Sequence, residues 1–135
     1  MVIFQALKMR ASDIHFQPYE DKLQIRYRID GILYDMMTVP KKTQEAVVSR
    51  IKVMGQMDIA ERRLPQDGGC SIKAGNRDVD IRLSSVPTNF GERVVMRLQD
   101  KSTGVAALAK IGLTPENMET IKKLIALSHG IVLVT

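Results

Sequence analysis

Alternation of apolar and polar residues is the main pattern in the first third of the chain. From residue 22 to residue 30 every second residue is apolar, which predicts a strand with one buried face. A shorter alternation over residues 14–17 precedes this strand. Asp30-Gly31 predicts a tight hairpin, because a type I′ turn needs positive φ at both central positions. Residues 12–39 are therefore predicted to form a three-stranded antiparallel meander, after a short helix over residues 2–10.

After Pro40 the spacing of apolar residues changes from that of a strand to that of a helix. A helix is predicted over residues 42–56, packed on one face of the sheet by its apolar stripe and with Lys52 among its polar positions. Residues 58–69 are predicted to form a charged connector that ends in a turn containing Asp67-Gly68. Three further strands are then predicted, over about residues 70–74, 78–85 and 92–99.

The last third of the chain has a different character. Residues 101–104 are predicted to be a linker, and Thr114-Pro115 predicts a helix start with Thr114 as the N-cap. The final residues, 131–135, form an apolar and largely β-branched run that is typical of a strand buried on both faces. Such a strand would either dock on the antiparallel sheet or begin a second, α/β domain, and we favour the second interpretation.

Composition narrows the class of protein. The chain has 135 residues, of which 44% are hydrophobic and 26% charged, as in ordinary soluble domains. No apolar run reaches the roughly 18 residues that a membrane span needs. A single cysteine excludes an internal disulfide, which fits a reducing, cytoplasmic location. The net charge of +5 permits an anionic partner without choosing among phosphate, nucleic acid and acidic protein.

The order of the motifs resembles that of the secretion ATPases of bacterial type II secretion and type IV pilus assembly. The resemblance covers nearly the whole chain, and the sequence of the Gly-Glu-Arg-Val-Val-Met-Arg motif at residues 91–97 favours the type II branch. The segments that carry it are Ala11-Ser12-Asp13-Ile14-His15-Phe16, Ile25-Arg26-Tyr27-Arg28-Ile29-Asp30-Gly31, Ser49-Arg50-Ile51-Lys52-Val53-Met54, Asp58-Ile59-Ala60-Glu61, Leu64-Pro65-Gln66-Asp67-Gly68, Val79-Asp80-Ile81-Arg82, Gly91-Glu92-Arg93-Val94-Val95-Met96-Arg97-Leu98 and His129-Gly130-Ile131-Val132-Leu133-Val134-Thr135.

This resemblance implies an α+β fold with two parts. Residues 1–103 would be a PAS-like antiparallel sheet of about six strands with packed helices. Residues 104–135 would be the linker, helix and first strand of a truncated, RecA-like α/β domain that binds nucleotide. The family's phosphate loop would begin after Thr135. This chain alone is therefore expected neither to hydrolyse ATP nor to bind it firmly, and ATP and Mg²⁺ belong to the full-length protein.

The resemblance also implies the setting in which the chain works. The full-length protein would be a homo-hexameric cytoplasmic motor, peripheral to the inner membrane, that powers protein export or pilus assembly. Its partners would be its own nucleotide-binding domain, the neighbouring subunits and the platform proteins of the inner membrane. Neither a metal site in this chain nor a nucleic-acid partner is expected.

Two arginines are the candidate catalytic residues. By the resemblance, Arg82 and Arg97 reach the phosphates of an ATP held by another domain and stabilise charge on the transferring phosphoryl group. The strand patterns agree with this role, since both arginines fall on the polar side of adjacent antiparallel strands. The competing interpretation is a set of weak surface salt bridges, joining Arg82 to Asp80 or Glu92 and Arg97 to Asp100.

Other polar residues of the predicted strands are weaker candidates. Arg26, Arg28 and Arg93 are expected to pair at the surface or between domains. His15 is expected to be a solvated strand residue, because no nucleophile or second base accompanies it. Gly69 departs from the family pattern, in which an Arg is common at this position.

Two other functions remain open. A PAS-like module that senses a ligand or binds another protein, without a role in ATP hydrolysis, would have a sizeable apolar pocket if its ligand were a small molecule. A nucleic-acid binder is suggested only by the charge, and the sequence lacks the interleaved basic and aromatic residues of an RNA-recognition sheet.

Overall fold

The elements of the chain follow one another in the order that the sequence predicts. The computed structural model describes residues 2–75, 77–100 and 107–133, without the side chains of Arg77 and Asp100. By contacts the chain divides into two units, Met1–Ser102 and Thr103–Thr135. The helices and strands are α1 (Val2–Lys8), β1 (Asp13–Pro18), β2 (Lys22–Ile29), β3 (Ile32–Pro40), α2 (Gln44–Met54), β4 (Gln66–Ala74), β5 (Arg77–Thr88), β6 (Gly91–Asp100) and α3 (Pro115–Ile125).

The first unit is built on a six-stranded antiparallel sheet in the order β3-β2-β1-β6-β5-β4. Two three-stranded meanders lie side by side and are joined by the pairing of β1 with β6. The predicted α+β fold with about six strands is confirmed, and so is the meander over residues 12–39. Asp30 and Gly31 both have positive φ, 49° and 83°, as the predicted hairpin turn requires.

One face of the sheet carries the hydrophobic core. The alternating apolar residues of β1, β2, β5 and β6 point to this face and pack with Ala6 of α1 and with Val48 and Ile51 of α2. Full burial of one such large aliphatic or aromatic side chain contributes about 1.5–3 kcal/mol. The largest of the fully buried apolar side chains are Tyr27, Ile14, Leu23, Ile81, Leu83, Met96, Val79 and Val94. The polar side chains of the same strands are thereby directed to the opposite, outer face.

The turn predicted at Asp67-Gly68 is wrong, because β4 begins at Gln66 and both residues lie inside the strand. The glycine serves a close approach instead. A Cβ at Gly68 would collide with the carbonyl oxygen of Gly55, at the end of α2. Glycine in a strand marks either a turn or a close backbone neighbour, and only the tertiary structure separates the two.

Lys52, which the sequence predicts among the polar positions of α2 and off its apolar stripe, is nevertheless buried. The Lys52 side chain is 1% exposed, and its Nζ lies 2.5 Å from Oε1 of Glu92 on β6. Nζ also donates a hydrogen bond of 2.6 Å to the carbonyl oxygen of Glu61, in the connector after α2. Oε1 of Glu92 accepts a further bond, 2.9 Å long, from the hydroxyl of Ser85. This buried network joins α2, β5, β6 and the connector.

The second unit contains α3, whose predicted start is confirmed. The hydroxyl of Thr114 accepts a hydrogen bond from the backbone N–H of Asn117, and Pro115 is the first helical residue. The predicted terminal strand is not formed over residues 131–133, which have no regular secondary structure. Residues 134–135 and the predicted linker over 101–104 lie outside the described residues. The assignment of this unit to a nucleotide-binding domain therefore stays a prediction.

Candidate functional site

The outer face of the sheet carries a row of directly opposed residues, one from each of five adjacent strands. In order across the sheet they are Arg28, Asp13, Arg97, Arg82 and Gly69, which we call the arginine row. Side chains of directly opposed residues lie on the same face, with Cβ atoms roughly 4.5–5.5 Å apart. The register therefore collects three guanidinium groups around one carboxylate, near the middle of the sheet.

The hairpin of β5 and β6 brings the two predicted site residues together. Arg82 stands directly opposite Arg97, and both side chains are exposed. Within the described part of the chain the Arg82 side chain makes no ion pair. Because Gly69 has no side chain, it leaves the other flank of Arg82 open. There Arg82 borders a shallow depression of about 450 Å³.

Of the salt bridges that the competing interpretation named, the pair of Arg82 with Glu92 is not formed, and the pair of Arg97 with Asp100 lies outside the described residues. Glu92 is buried and engaged by Lys52, so it does not pair with Arg82. Asp80 accepts a hydrogen bond of 2.6 Å from Ser71 on β4. The side chain of Asp100 lies outside the described residues. Arg97 does form a salt bridge, but with Asp13, whose Oδ1 lies 3.0 Å from its Nε.

Asp13 is the site residue that the sequence reasoning missed. Its Oδ2 accepts a hydrogen bond of 2.8 Å from the hydroxyl of Ser12 and lies 3.5 Å from Nε of Arg28. Burial raises the pKa of Asp13, but hydrogen bonds from Arg97 and Ser12, with the charges of Arg97 and His15, outweigh it and lower the pKa below its ordinary value. Its place opposite Arg28 follows from the β1–β2 hairpin, in which Pro18 pairs with Leu23, and the sequence marks that turn with no motif as specific as Asp30-Gly31.

His15, two residues along β1, is half-buried rather than solvated as predicted. It stands opposite Arg26, and its Nε2 is buried without a hydrogen-bond partner in the described structure. Burial lowers the pKa of His15, and the positive charges of Arg28, Arg93 and Arg26 lower it further, against the opposing effect of Asp13. Burial and the neighbouring arginines therefore disfavour the protonated form of this imidazole.

Of the remaining arginines of this face, Arg26 and Arg28 form contacts at the surface, as predicted. Nε of Arg26 lies 2.7 Å from Oδ1 of Asp35 on the edge strand β3, without the alignment of a hydrogen bond. A guanidinium nitrogen of Arg28 donates a bond of 2.9 Å to the carbonyl oxygen of Gly31. Arg93 is exposed.

A ligand-sensing pocket is not favoured by the two polar cavities of this unit. The cavity beside α2 has a volume of only about 110 Å³, with charged side chains such as Lys52 and Glu92 in its lining. The depression of about 450 Å³ beside Arg82 is shallow and is lined largely by polar residues. Pockets for small molecules typically measure about 300–1,000 Å³ and are mostly apolar. No helix among the described residues is long and apolar enough to cross a membrane.

Comparison with known proteins gives consistent matches over the whole chain. A family model described as "Type II/IV secretion system protein" matches residues 1–135. The chain is 47% identical over 131 residues to the type II secretion system ATPase E of Vibrio cholerae, covering 97% of this chain and 26% of that protein. It is 46% identical over 136 residues to the type IV pilus assembly ATPase PilB of Myxococcus xanthus, covering 100% of this chain and 24% of that protein.

The fold also matches a solved structure. The crystal structure of the pilus retraction motor PilT with bound ADP aligns with a TM-score of 0.52 at 18% identity, over 87% of this chain and 33% of that one. At this identity the match supports the fold alone. Several of the curated relatives are type II secretion proteins, in keeping with the branch that the sequence favoured. The chain spans about a quarter of the length of these relatives.

Proposed function

Since this chain belongs to the type II/IV secretion system protein family, we propose that it supplies Arg82 and Arg97 to the phosphates of an ATP held by a separate nucleotide-binding domain. The whole protein would be a homo-hexameric secretion motor at the cytoplasmic side of the inner membrane, bound there to platform proteins. Support for this role comes from the relatives of the chain, which include ATPases of type II secretion and of pilus assembly.

The observation that carries the proposal is the direct opposition of two exposed arginines on one hairpin. Two neighbouring guanidinium groups repel each other when nothing lies between them, and a phosphate between them turns that repulsion into attraction. Arginine suits this task because its planar fork matches phosphate oxygens with two parallel hydrogen bonds. The donor set of this face therefore fits an oligophosphate.

ATP, when bound, supplies the phosphoryl group whose transfer to water releases the free energy for the motor. The residues of this chain would bind and orient the outer phosphates, with Arg97 and Arg82 on either side. We assign the Mg²⁺ ligands to other parts of the full-length protein, because the described residues contain no cluster of three or more His, Cys, Asp or Glu side chains. The two domains would move relative to each other as nucleotide turns over.

The test is the steady-state ATPase rate of the full-length protein that contains this segment. We expect Arg97→Ala and Arg82→Ala each to lower kcat by about 10³-fold, the lower end of the range measured where an arginine stabilises phosphoryl transfer. The matched control is Arg50→Ala, which removes an exposed arginine from α2 rather than from the outer face of the sheet. Wild-type activity in Arg97→Ala would overturn the proposal.

A further inference from the structure

The guanidinium group of Arg97 is bound to Asp13 through Nε, while most of the side chain is exposed. Its Nε lies 3.0 Å from Oδ1 of Asp13, while the side chain as a whole stays 66% exposed. The guanidinium group has five N–H donors in a fixed fork, of which Nε carries one. A carboxylate on Nε therefore fixes the direction of the side chain and leaves the two terminal nitrogens to face outward.

Asp13 itself is fixed by its surroundings. Its side chain is 6% exposed, and its strand, β1, lies between β2 and β6 in the sheet. Ser12 binds Oδ2, and Arg28 lies on the other side. A carboxylate with so little freedom is a rigid anchor, because any rotation would leave a buried oxygen without a partner.

The neighbouring pair on the same face shows the contrast. Asp35 holds Nε of Arg26 at 2.7 Å, but Asp35 is 66% exposed and lies on the edge strand β3. Arg26 stands opposite His15 rather than opposite another arginine of the row. Both pairs join a carboxylate oxygen to an arginine Nε, but they differ in hydrogen-bond alignment, burial and position, which makes Asp35 a control for Asp13.

We infer that Asp13 is a positioning residue that anchors Arg97 through Nε and so aims its terminal nitrogens at the anion shared with Arg82. Its negative charge also offsets part of the repulsion between the two opposed arginines. This inference rests on the proposed function, in which Arg97 contacts an ATP phosphate. The ligand of this site would thus be a phosphate anion, to which Arg97 donates hydrogen bonds from its two terminal nitrogens.

The first test uses ATPase kinetics of the full-length protein. Asp13→Asn should lower kcat by up to about 100-fold, a loss that a misplacement of about 1 Å can cause. Asp35→Asn should stay within about twofold of wild type. The double variant Asp13→Asn/Arg97→Ala should be no slower than Arg97→Ala alone, because Asp13 acts through Arg97. Independent, multiplying losses in the double variant would overturn the inference.

The second test needs neither nucleotide nor activity. In the present chain, NMR spectroscopy of the arginine Nε–H groups should show hydrogen exchange at Arg97 at least about tenfold slower than at Arg82, because only the Arg97 group has a buried acceptor. Asp13→Asn should remove most of that difference. Equal exchange at the two arginines of the unaltered chain would overturn the inference even if the variant failed to fold.

The outcomes also separate this inference from the proposed function. If Arg97→Ala retains wild-type activity, both fail. If Arg97→Ala is inactive while Asp13→Asn is as fast as wild type, the arginine pair stands and the positioning role of Asp13 is refuted. If Asp13→Asn is slow and Arg97 exchanges slowly in the unaltered chain, both are supported.

Discussion

At the scale of single residues, the arginines on the outer face of the sheet influence the protonation of His15. His15 could add one more positive charge to a surface that already presents several arginines. Burial and the nearby guanidinium groups keep its pKa low, so the imidazole stays neutral near pH 7. The charge of this face therefore changes less near pH 6.5 than it would with a free histidine at this position.

This environment predicts a pH dependence of stability. The pKa of His15 is lower in the folded chain than the value of about 6.5 in an unfolded one. The unfolded chain therefore binds a proton first as the pH falls, and the free energy of unfolding should decrease between pH 7.5 and pH 5. In His15→Gln this decrease should be smaller. Urea denaturation at a series of pH values measures it, and identical pH profiles for the two proteins would contradict the prediction.

At the scale of elements, the buried network of Lys52 and Glu92 holds α2 against the sheet. Lys52 belongs to α2 and Glu92 is the second residue of β6. Lys52 also donates a hydrogen bond to the carbonyl oxygen of Glu61 in the connector. Gln66, the first residue of β4, donates to the same Glu61 carbonyl oxygen at 3.0 Å. Side chains from the two elements that flank the connector, Lys52 of α2 and Gln66 of β4, therefore hold it in place.

Breaking this network should be costly. Lys52→Met leaves Glu92 buried without its cation, and we expect the free energy of unfolding to fall by about 3–5 kcal/mol. Lys42→Met, at an exposed position just before α2, should change it by no more than about 0.5 kcal/mol. Adding Glu92→Leu to Lys52→Met should restore part of the loss, because the unpaired charge is removed. Urea denaturation at pH 7 measures all three variants, and an equal effect at positions 42 and 52 would contradict the prediction.

At the scale of the whole molecule, the first unit contains all that its core requires. Every buried core residue in the described part of the chain lies between Ala6 and Met96. Helix α3 has no buried residue. The unit of residues 1–102 should therefore unfold cooperatively without the rest of the chain.

A truncated chain of residues 1–102 tests this independence. Its melting temperature should lie within about 4 °C of that of the whole chain, a shift that corresponds to no more than roughly 0.5–1 kcal/mol for a domain of this size. Calorimetry or circular dichroism measures it. A broad, non-cooperative transition in the truncated chain would show that residues 103–135 are needed for the fold.

The sequence predicted what is local in this molecule. Alternation located β2, β5 and β6, and the Asp30-Gly31 turn fixed one hairpin. The pairing of β1 with β6 has no local signal, because it joins residues such as Asp13 and Arg97 that are far apart in the chain. For the same reason, Asp13 and Lys52 looked like ordinary polar residues: the partners that explain their burial belong to a distant strand.

The tight turn at Asn89-Phe90 has a consequence for insertions and deletions. Thr88 pairs with Gly91 across that turn, and Arg82 and Arg97 stand at equal distances along the two strands from this pair. One residue added or lost in either strand between an arginine and the turn would rotate that arginine into the hydrophobic layer, since successive strand residues point to opposite sides. The length of the hairpin therefore determines which face each arginine occupies. Homologous chains that keep both arginines should also keep the number of residues between them.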